Sequence, residues 1–384
     1  MKWNHIVVLS LFLNFLVSCT PKQQETENKT IFIPLVEKKV LPVTDIFEEV
    51  KYIPLETNDF SLLTSITDPL FSKLILKNGY IYTQHLNSPI FIFDETGKWI
   101  RTIDRKGQGP EEYLNIRSFD VNNNREIAVL ELKRIIFYSC EGKFLTSVTH
   151  PGYGRIAHYL NDTLLIFCGY PISIEGYKLH ILDKNTLEFV NSYWPIHLRQ
   201  YSVSSNNYAV DYQGHFIFYE PQSPHIYELS ADSATLRYSM NIGNKMPPEN
   251  FWNVKDMTWD EIVEKNIGLR LRQEHQDKGY IDHIMFFSES QKTILFQFSG
   301  TNNIFDGTYA LVNKKSRSSI LIDKIAFDSQ LVWKPRTMFS RSDGIVIIPI
   351  PADIVLESGE GEIRKMFPDL LEDDNPILCI AKLR

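Results

Sequence analysis

The chain has 384 residues, of which 43% are apolar and 12% aromatic, with a formal net charge of -7. That apolar share supports a large core and excludes wholesale disorder. The negative balance excludes general nucleic-acid binding, which needs a basic footprint.

The N-terminus reads as an export signal. Lys2 and His5 precede an apolar run from Ile6 to Val17. The run is too short to span a bilayer comfortably and suits a signal sequence of about 18 residues. It ends Leu16-Val17-Ser18-Cys19, which resembles the lipobox of bacterial lipoproteins. That resemblance implies lipid attachment at Cys19, with Thr20 in place of Asp implying outer-membrane sorting. The polar stretch after Cys19 reads as a flexible tether over 19–44. Cys140, Cys168 and Cys379 show no paired spacing and read as small core residues, not a disulfide framework.

Next comes a solitary strand, Glu49 to Thr57, with Pro54 suited to an edge. A repeated phrase follows. Phe93-Asp94-Glu95-Thr96-Gly97-Lys98-Trp99-Ile100 returns as Phe137-Tyr138-Ser139-Cys140-Glu141-Gly142-Lys143-Phe144-Leu145. The two glycines are about 45 residues apart, the length of a four-stranded propeller blade. Short apolar segments fall into groups of four around each phrase, separated by Asn78-Gly79, Thr96-Gly97, Asn122-Asn123-Asn124 and Glu141-Gly142, which are hairpin signals. Two looser groups run to Ile242. Over 247–279 the apolar spacing becomes helical, predicting an insertion. A fifth group spans Tyr280 to Phe327. A sixth has three strands, interrupted by a second helical insertion over 352–371. The solitary N-terminal strand supplies the missing fourth, because a ring of blades has to close. The prediction is an all-β, six-bladed β-propeller of four-stranded antiparallel blades over 45–384, closed by an N-terminal strand and carrying two helical insertions.

With these motifs, and with Tyr52-Ile53-Pro54-Leu55-Glu56, Gly107-Gln108-Gly109-Pro110-Glu111-Glu112-Tyr113 and Asn375-Pro376-Ile377-Leu378, the chain resembles the six-bladed β-propeller lipoproteins of gut Gram-negative bacteria, which are similar to NHL-repeat propellers. Where the family's loop usually carries Gly, this chain has Glu111. The resemblance implies a fold and an address at the cell envelope far more than an activity.

The loop containing Gly107, Gln108, Gly109, Pro110, Glu111 and Tyr113 superficially suggests phosphate binding. It lacks a following Lys-Ser/Thr, so it reads as a tight inter-blade joint and a weak ligand candidate. The ten histidines show no i, i+4 zinc spacing, although a propeller can gather single histidines at its axis. The pairs His150/His158 and His275/His283 read as strand and surface residues. Glu111-Glu112 and Asp373-Asp374 read as solvated loop charges. Trp194, Trp252, Trp259 and Trp333 read as packing residues that could alternatively stack on sugars. No catalytic residue, metal ligand or cofactor is assigned. The expected function is a non-catalytic module held to the membrane by its N-terminal lipid, taking a glycan, a peptide or an envelope protein on the face that carries the helical insertions. The alternative is a lyase or hydrolase whose residues converge on the central channel.

Overall fold

The computed structural model describes residues 29–63, 66, 72–86, 88–150, 154–169, 177–195, 199–200, 209–219, 223–248, 250–254, 257, 261, 264–281, 284–298 and 307–384. Six four-stranded antiparallel blades form a propeller ring. From the axis outward, blade 1 is Ser72–Lys77, Tyr80–His85, Ile90–Asp94 and Trp99–Ile103. Blade 2 is Ser118–Val121, Ile127–Leu130, Arg134–Tyr138 and Phe144–Thr149. Blade 3 is Gly154–Tyr159, Leu164–Gly169, Tyr177–Asp183 and Glu188–Pro195. Blade 4 begins at Ala209–Tyr212 and ends at Ala234–Asn241; blade 5 begins at Ile284–Glu289 and ends at Ser319–Ala326. Blade 6 is Phe339–Ser340, Ile345–Ile350 and Ile377–Leu383, completed by Phe47–Pro54 from the other end of the chain.

Middle strands are sandwiched between neighbouring blades on both faces, so they read as unbroken apolar runs. Ile127–Leu130 and Arg134–Tyr138 are buried at nearly every position. Outer strands such as Trp99–Ile103 are only partly covered. The repeated Gly-Lys phrase is the turn between the third and fourth strands. In blade 1, Asp94 Oδ1 accepts from the backbone N–H of Thr96 at 2.8 Å and of Lys98 at 3.1 Å. In blade 2, Ser139 Oγ takes the same role for Glu141 and Lys143 at 3.2 and 3.3 Å. Side-chain oxygens that satisfy turn amides explain why Asp, Ser or Asn begins each such turn.

Ring closure uses three motifs at once. Trp99 N–H donates to the Glu56 carboxylate at 2.8 Å, and Glu56 N–H donates to the Gly97 carbonyl at 2.8 Å. Gly97 has φ +87°, and a Cβ there would run into the Pro54 carbonyl. Asn375, buried at the edge of the closing strand, donates from Nδ2 to the carbonyls of Glu56 and Ser61, each at 2.8 Å. Its Oδ1 accepts from Leu63 N–H at 2.8 Å.

The N-terminal segment departs from expectation. Within the stretch read as a tether over 19–44, Thr30–Phe32 pairs in parallel with the outer strand of blade 4. Lys39–Pro42 does the same on blade 5. Outer strands carry unpaired N–H and C=O groups, and this clasp satisfies some of them. Ile31, Ile33 and Val43 anchor it by burial. Cys19 and the signal segment lie outside the described residues.

Both helical insertions are present and shorter than the ranges read from sequence: Ile267–Asp277 in the first, Ala352–Glu357 and Glu362–Met366 in the second. Trp252 stacks near His275 at 5.2 Å and packs the first against Phe251. Trp194 stacks on Phe218 at 5.4 Å, and Trp333 lies 6.3 Å from Phe327, so both serve packing. Trp259 lies outside the described residues. Cys379 is buried in blade 6, whereas Cys140 is half-buried in a turn, with its thiol 2.8 Å from the Glu141 carboxylate. The core reading therefore holds for Cys379 and fails for Cys140, whose position in the turn after Tyr138 lies past the apolar part of its strand. The Cys168 side chain lies outside the described residues. No helix among the described residues is long and apolar enough to cross a membrane.

Candidate functional site: the axial cavity

In a propeller the innermost strands surround the axis, and side chains pointing inward line a channel. Here a cavity of about 390 Å³ is lined by blades 1, 2, 3, 4 and 6. Turns between first and second strands bound one end of it, through Asn78, Asn123, Asn161, Gly214 and Ser342. Blade 5 is covered at that end. The blade 6 turn places Asp343 in a left-handed conformation (φ 59°), with Gly344 beside it against the Glu289 carbonyl. Asp343 Oδ1 then accepts from Gln213 N–H of blade 4 at 2.9 Å. The turn thus reaches across the end of blade 5.

Deep in the cavity, three inner strands are stitched by polar groups. Lys73 of blade 1 is buried and donates from Nζ to the Ala157 carbonyl of blade 3 at 3.3 Å. It also reaches Ser118 Oγ of blade 2 at 3.5 Å. Asp120 of blade 2 accepts from Tyr159 N–H at 2.7 Å and lies 3.5 Å from His158 Nδ1. His158 Nε2 is buried with no hydrogen-bond partner among the described residues.

These groups tune each other. Burial lowers the Lys73 ammonium to about 8, and the Asp120 carboxylate partly offsets that. Burial opposes ionisation of Asp120, yet Lys73 and His158 outweigh it and hold the carboxyl well below its usual range. His158 is lowered by burial and by Lys73, so it is neutral near pH 7.

Nearer the turns, Lys77 of blade 1, Asp211 of blade 4 and Arg341 of blade 6 line the cavity. Asp211 is reached by solvent but walled by protein, and desolvation raises its carboxyl to about 6 despite Lys77. Burial lowers the Arg341 guanidinium, with Asp211 and Asp343 acting the other way. None of Lys77, Asp211 and Arg341 forms a side-chain ion pair or hydrogen bond with another described residue. Phe216, Phe339 and Val210 supply apolar wall between them.

Gly107, Gln108, Gly109, Pro110, Glu111 and Tyr113 are not among the lining residues. They form the connection from the outer strand of blade 1 to the inner strand of blade 2. Gly109 N–H donates to the Glu112 carboxylate at 2.8 Å. Tyr138 Oη donates to the Glu111 carbonyl at 2.8 Å, and Arg134 Nη1 to that of Pro110 at 2.9 Å. A Cβ on Gly107 would clash with Glu112. The loop belongs to the end of the ring opposite the first turns. The helical insertions belong there too, since one joins an outer strand to the next inner strand and the other joins second and third strands. The cavity's turns are therefore on the face away from the insertions, whereas the sequence reading expected a ligand on the face that carries them.

Among the described histidines, only His158 lines the cavity. His150 and His180 are buried beside Phe167, with ring centroids 4.3 and 6.3 Å from it. His275 packs in the first insertion, and His283 lies outside the described residues. No group of three or more His, Cys, Asp or Glu among the described residues is placed to hold a metal ion. Sequence reasoning named His158 without a role and missed Lys73, Lys77, Asp120, Asp211 and Arg341. The available signal was a charged residue inside the first strands of blades 1, 2 and 4, at Lys73, Asp120 and Asp211, whereas Lys77 at a strand end and Arg341 in a turn carried none.

Fold and cavity together define a six-bladed propeller with a polar axial site. Comparison of the sequence with family models places the chain in one family: residues 30–382 match the family described as "Domain of unknown function (DUF4934)", and the protein belongs to it. A solved structure from Bacteroides fragilis, described as a "putative exported protein", shares the fold at 16% identity and a TM-score of 0.73, covering 92% of this chain and 99% of that one. The WD40 repeats of RRP9 align at 9% identity and a TM-score of 0.44, over 91% of this chain and 100% of theirs. No curated protein matches the sequence.

Proposed function

We propose that the protein is a lipid-anchored envelope propeller that binds a small polar ligand in its axial cavity, without catalysis. One observation carries this reading: charged side chains from blades 1, 4 and 6 line one cavity with no protein partner among the described residues. Lys77 and Arg341 are half-buried and Asp211 is open to the cavity's solvent, so a ligand that pairs them replaces water in a partly desolvated site. The lipobox-like Leu16-Val17-Ser18-Cys19 supports anchoring at Cys19, and the Bacteroides relative's description is consistent with export. Outer-membrane placement rests on Thr20 and on the resemblance to envelope lipoproteins. A glycan fragment or peptide end fits the cavity dimensions better than a folded partner.

The test has two parts. Labelled palmitate should enter the wild-type chain in a Gram-negative host and not Cys19→Ser. A library of sugars, sugar acids, amino acids and short peptides should contain compounds that raise the melting temperature of the wild type but not of Arg341→Met. If no compound does so, the binding reading fails.

A second reading, an enzyme, is favoured by the His158–Asp120 pair, whose Nε2 is a free base at the cavity wall. It predicts that His158→Asn abolishes turnover of a bound compound while leaving its affinity intact.

A further inference from the structure

Two cations and one carboxylate face each other across the end of the cavity bounded by the turns. Lys77 projects from the end of the blade 1 inner strand, Arg341 from the blade 6 turn and Asp211 from the blade 4 inner strand. Lys77 and Arg341 each act electrostatically on Asp211, yet no two of the three form an ion pair. The deeper charges are already committed: Lys73 is balanced by Asp120, which also holds His158. Glu289 of blade 5 is occupied by Arg237 at 2.9 Å and Lys314 at 2.7 Å. Asp343 is spent on Gln213 N–H. Asp343 keeps its charge and acts on Arg341, so the turn end holds two cations and two carboxylates with no ion pair closed between them among the described residues.

A guanidinium is a planar fork suited to a carboxylate, and an ammonium beside it adds a point charge. Asp211 accepts hydrogen bonds from hydroxyl groups. Asn123 and Ser342 add polar atoms, and Phe216 and Phe339 add apolar wall for the C–H face of a ring. A cavity of about 390 Å³ accommodates one or two pyranose rings.

We infer that the axial cavity selects a carboxylated polyol, a sugar acid of the uronate or aldonate type, with its carboxylate between Lys77 and Arg341 and its hydroxyls toward Asp211. This rests on the cavity being the ligand site, as proposed above. The arrangement also sets a pH dependence. Burial raises the Asp211 carboxyl to about 6, and it faces Lys77, Asp120, Asp343 and Arg341, with His158, lowered by burial and by Lys73, across the cavity. As pH falls through about 6 its charge is lost, Lys77 and Arg341 then outweigh Asp343, and a ligand carboxylate is held more tightly.

The experiment is calorimetric titration of the full-length protein in detergent with D-galacturonate, D-glucuronate and D-gluconate. The matched neutral sugars and inorganic phosphate are run beside them, at pH 7.5 and 5.5. At least one sugar acid should bind at least tenfold tighter than its neutral counterpart. Lys77→Met and Arg341→Met, checked for unchanged melting temperature, should each weaken it about tenfold. Affinity should rise about tenfold from pH 7.5 to 5.5, and Asp211→Asn should remove that rise. Equal binding of neutral sugars, sensitive to Arg341→Met, would overturn the sugar-acid assignment while leaving the cavity as a binding site. Phosphate binding as tightly as the sugar acids would replace it with a simple anion site. Binding of neither class to the wild type would overturn both readings.

Discussion

Asn375 donates from its side-chain amide to the Glu56 carbonyl at 2.8 Å, joining the last strand of the chain to the residue that follows the closing strand. The same amide also holds Ser61 and receives Leu63 N–H. One side chain thus fixes where the ends of a ring meet, more than 300 residues apart in sequence. Replacing Asn375 by Ala leaves two carbonyls and one amide without these partners in a buried place. The expected loss is about 2–4 kcal/mol of stability, since each unsatisfied buried group costs roughly 1–3 kcal/mol. Urea unfolding measures it, and Asn375→Asp should not rescue, because the carboxylate lacks the donors.

Blades 4 and 5 are joined by a buried charge cluster. The Glu289 carboxylate accepts from Arg237 Nε at 2.9 Å, Lys314 Nζ at 2.7 Å and Tyr238 Oη at 2.7 Å. Burial works against its ionisation, but Arg237, Lys314 and Tyr238 prevail and lower the carboxyl below its ordinary value. A depressed carboxyl contributes stability above the ordinary glutamate range and loses it as pH falls through the folded value. Glu289→Gln strands Lys314, while Arg237 keeps the Glu228 carboxylate at 2.6 Å, and should cost about 3 kcal/mol. Acid unfolding curves should show that the variant has lost this part of the wild type's pH dependence.

Lys73 gives the same sign of slope at the alkaline end, where burial disfavours its charged form. Burial lowers its ammonium from 10.5 to about 8. Between those values the unfolded chain binds more protons than the folded one, so stability rises with pH. The difference in unfolding free energy between wild type and Lys73→Met should therefore grow in favour of wild type from pH 8 to 10. Asp120→Asn alone should destabilise, because Lys73 then loses its counter-charge. The double variant Lys73→Met with Asp120→Asn should recover part of that loss.

The clasp formed by Thr30–Phe32 and Lys39–Pro42 covers the outer edges of blades 4 and 5. Removing residues 20–42 should leave the ring folded while speeding hydrogen exchange in Ala234–Asn241 and Ser319–Ala326. It should also promote aggregation through the freed edges.

The blade architecture was legible because its signals are local. Asp94-Glu95-Thr96-Gly97 announces a turn by its own side-chain chemistry, and runs such as Ile127–Leu130 announce strands covered on both faces. Closure was legible by arithmetic, since Phe47–Pro54 had no hairpin partner of its own. The clasp was not, because Thr30–Phe32 and Lys39–Pro42 are short, polar-flanked and stabilised by edges of strands more than 200 residues away. The site was illegible for a related reason. Lys77, Asp211 and Arg341 come from three different blades, and nothing in their local sequence marks the direction of the axis. The Gly107–Tyr113 loop shows the converse: its motif is conspicuous because its backbone packing is demanding, and none of it lines the cavity.

The central claim is that the ligand enters among the first turns, on the face away from the helical insertions. Hydrogen–deuterium exchange of the full-length protein with and without a bound sugar acid tests it most directly. Slowed exchange at Asn78, Asn123, Gly214 and Ser342, with no change in Ile267–Asp277 or Ala352–Glu357, is the predicted result. Protection confined to those helices, with the turns unchanged, would contradict it.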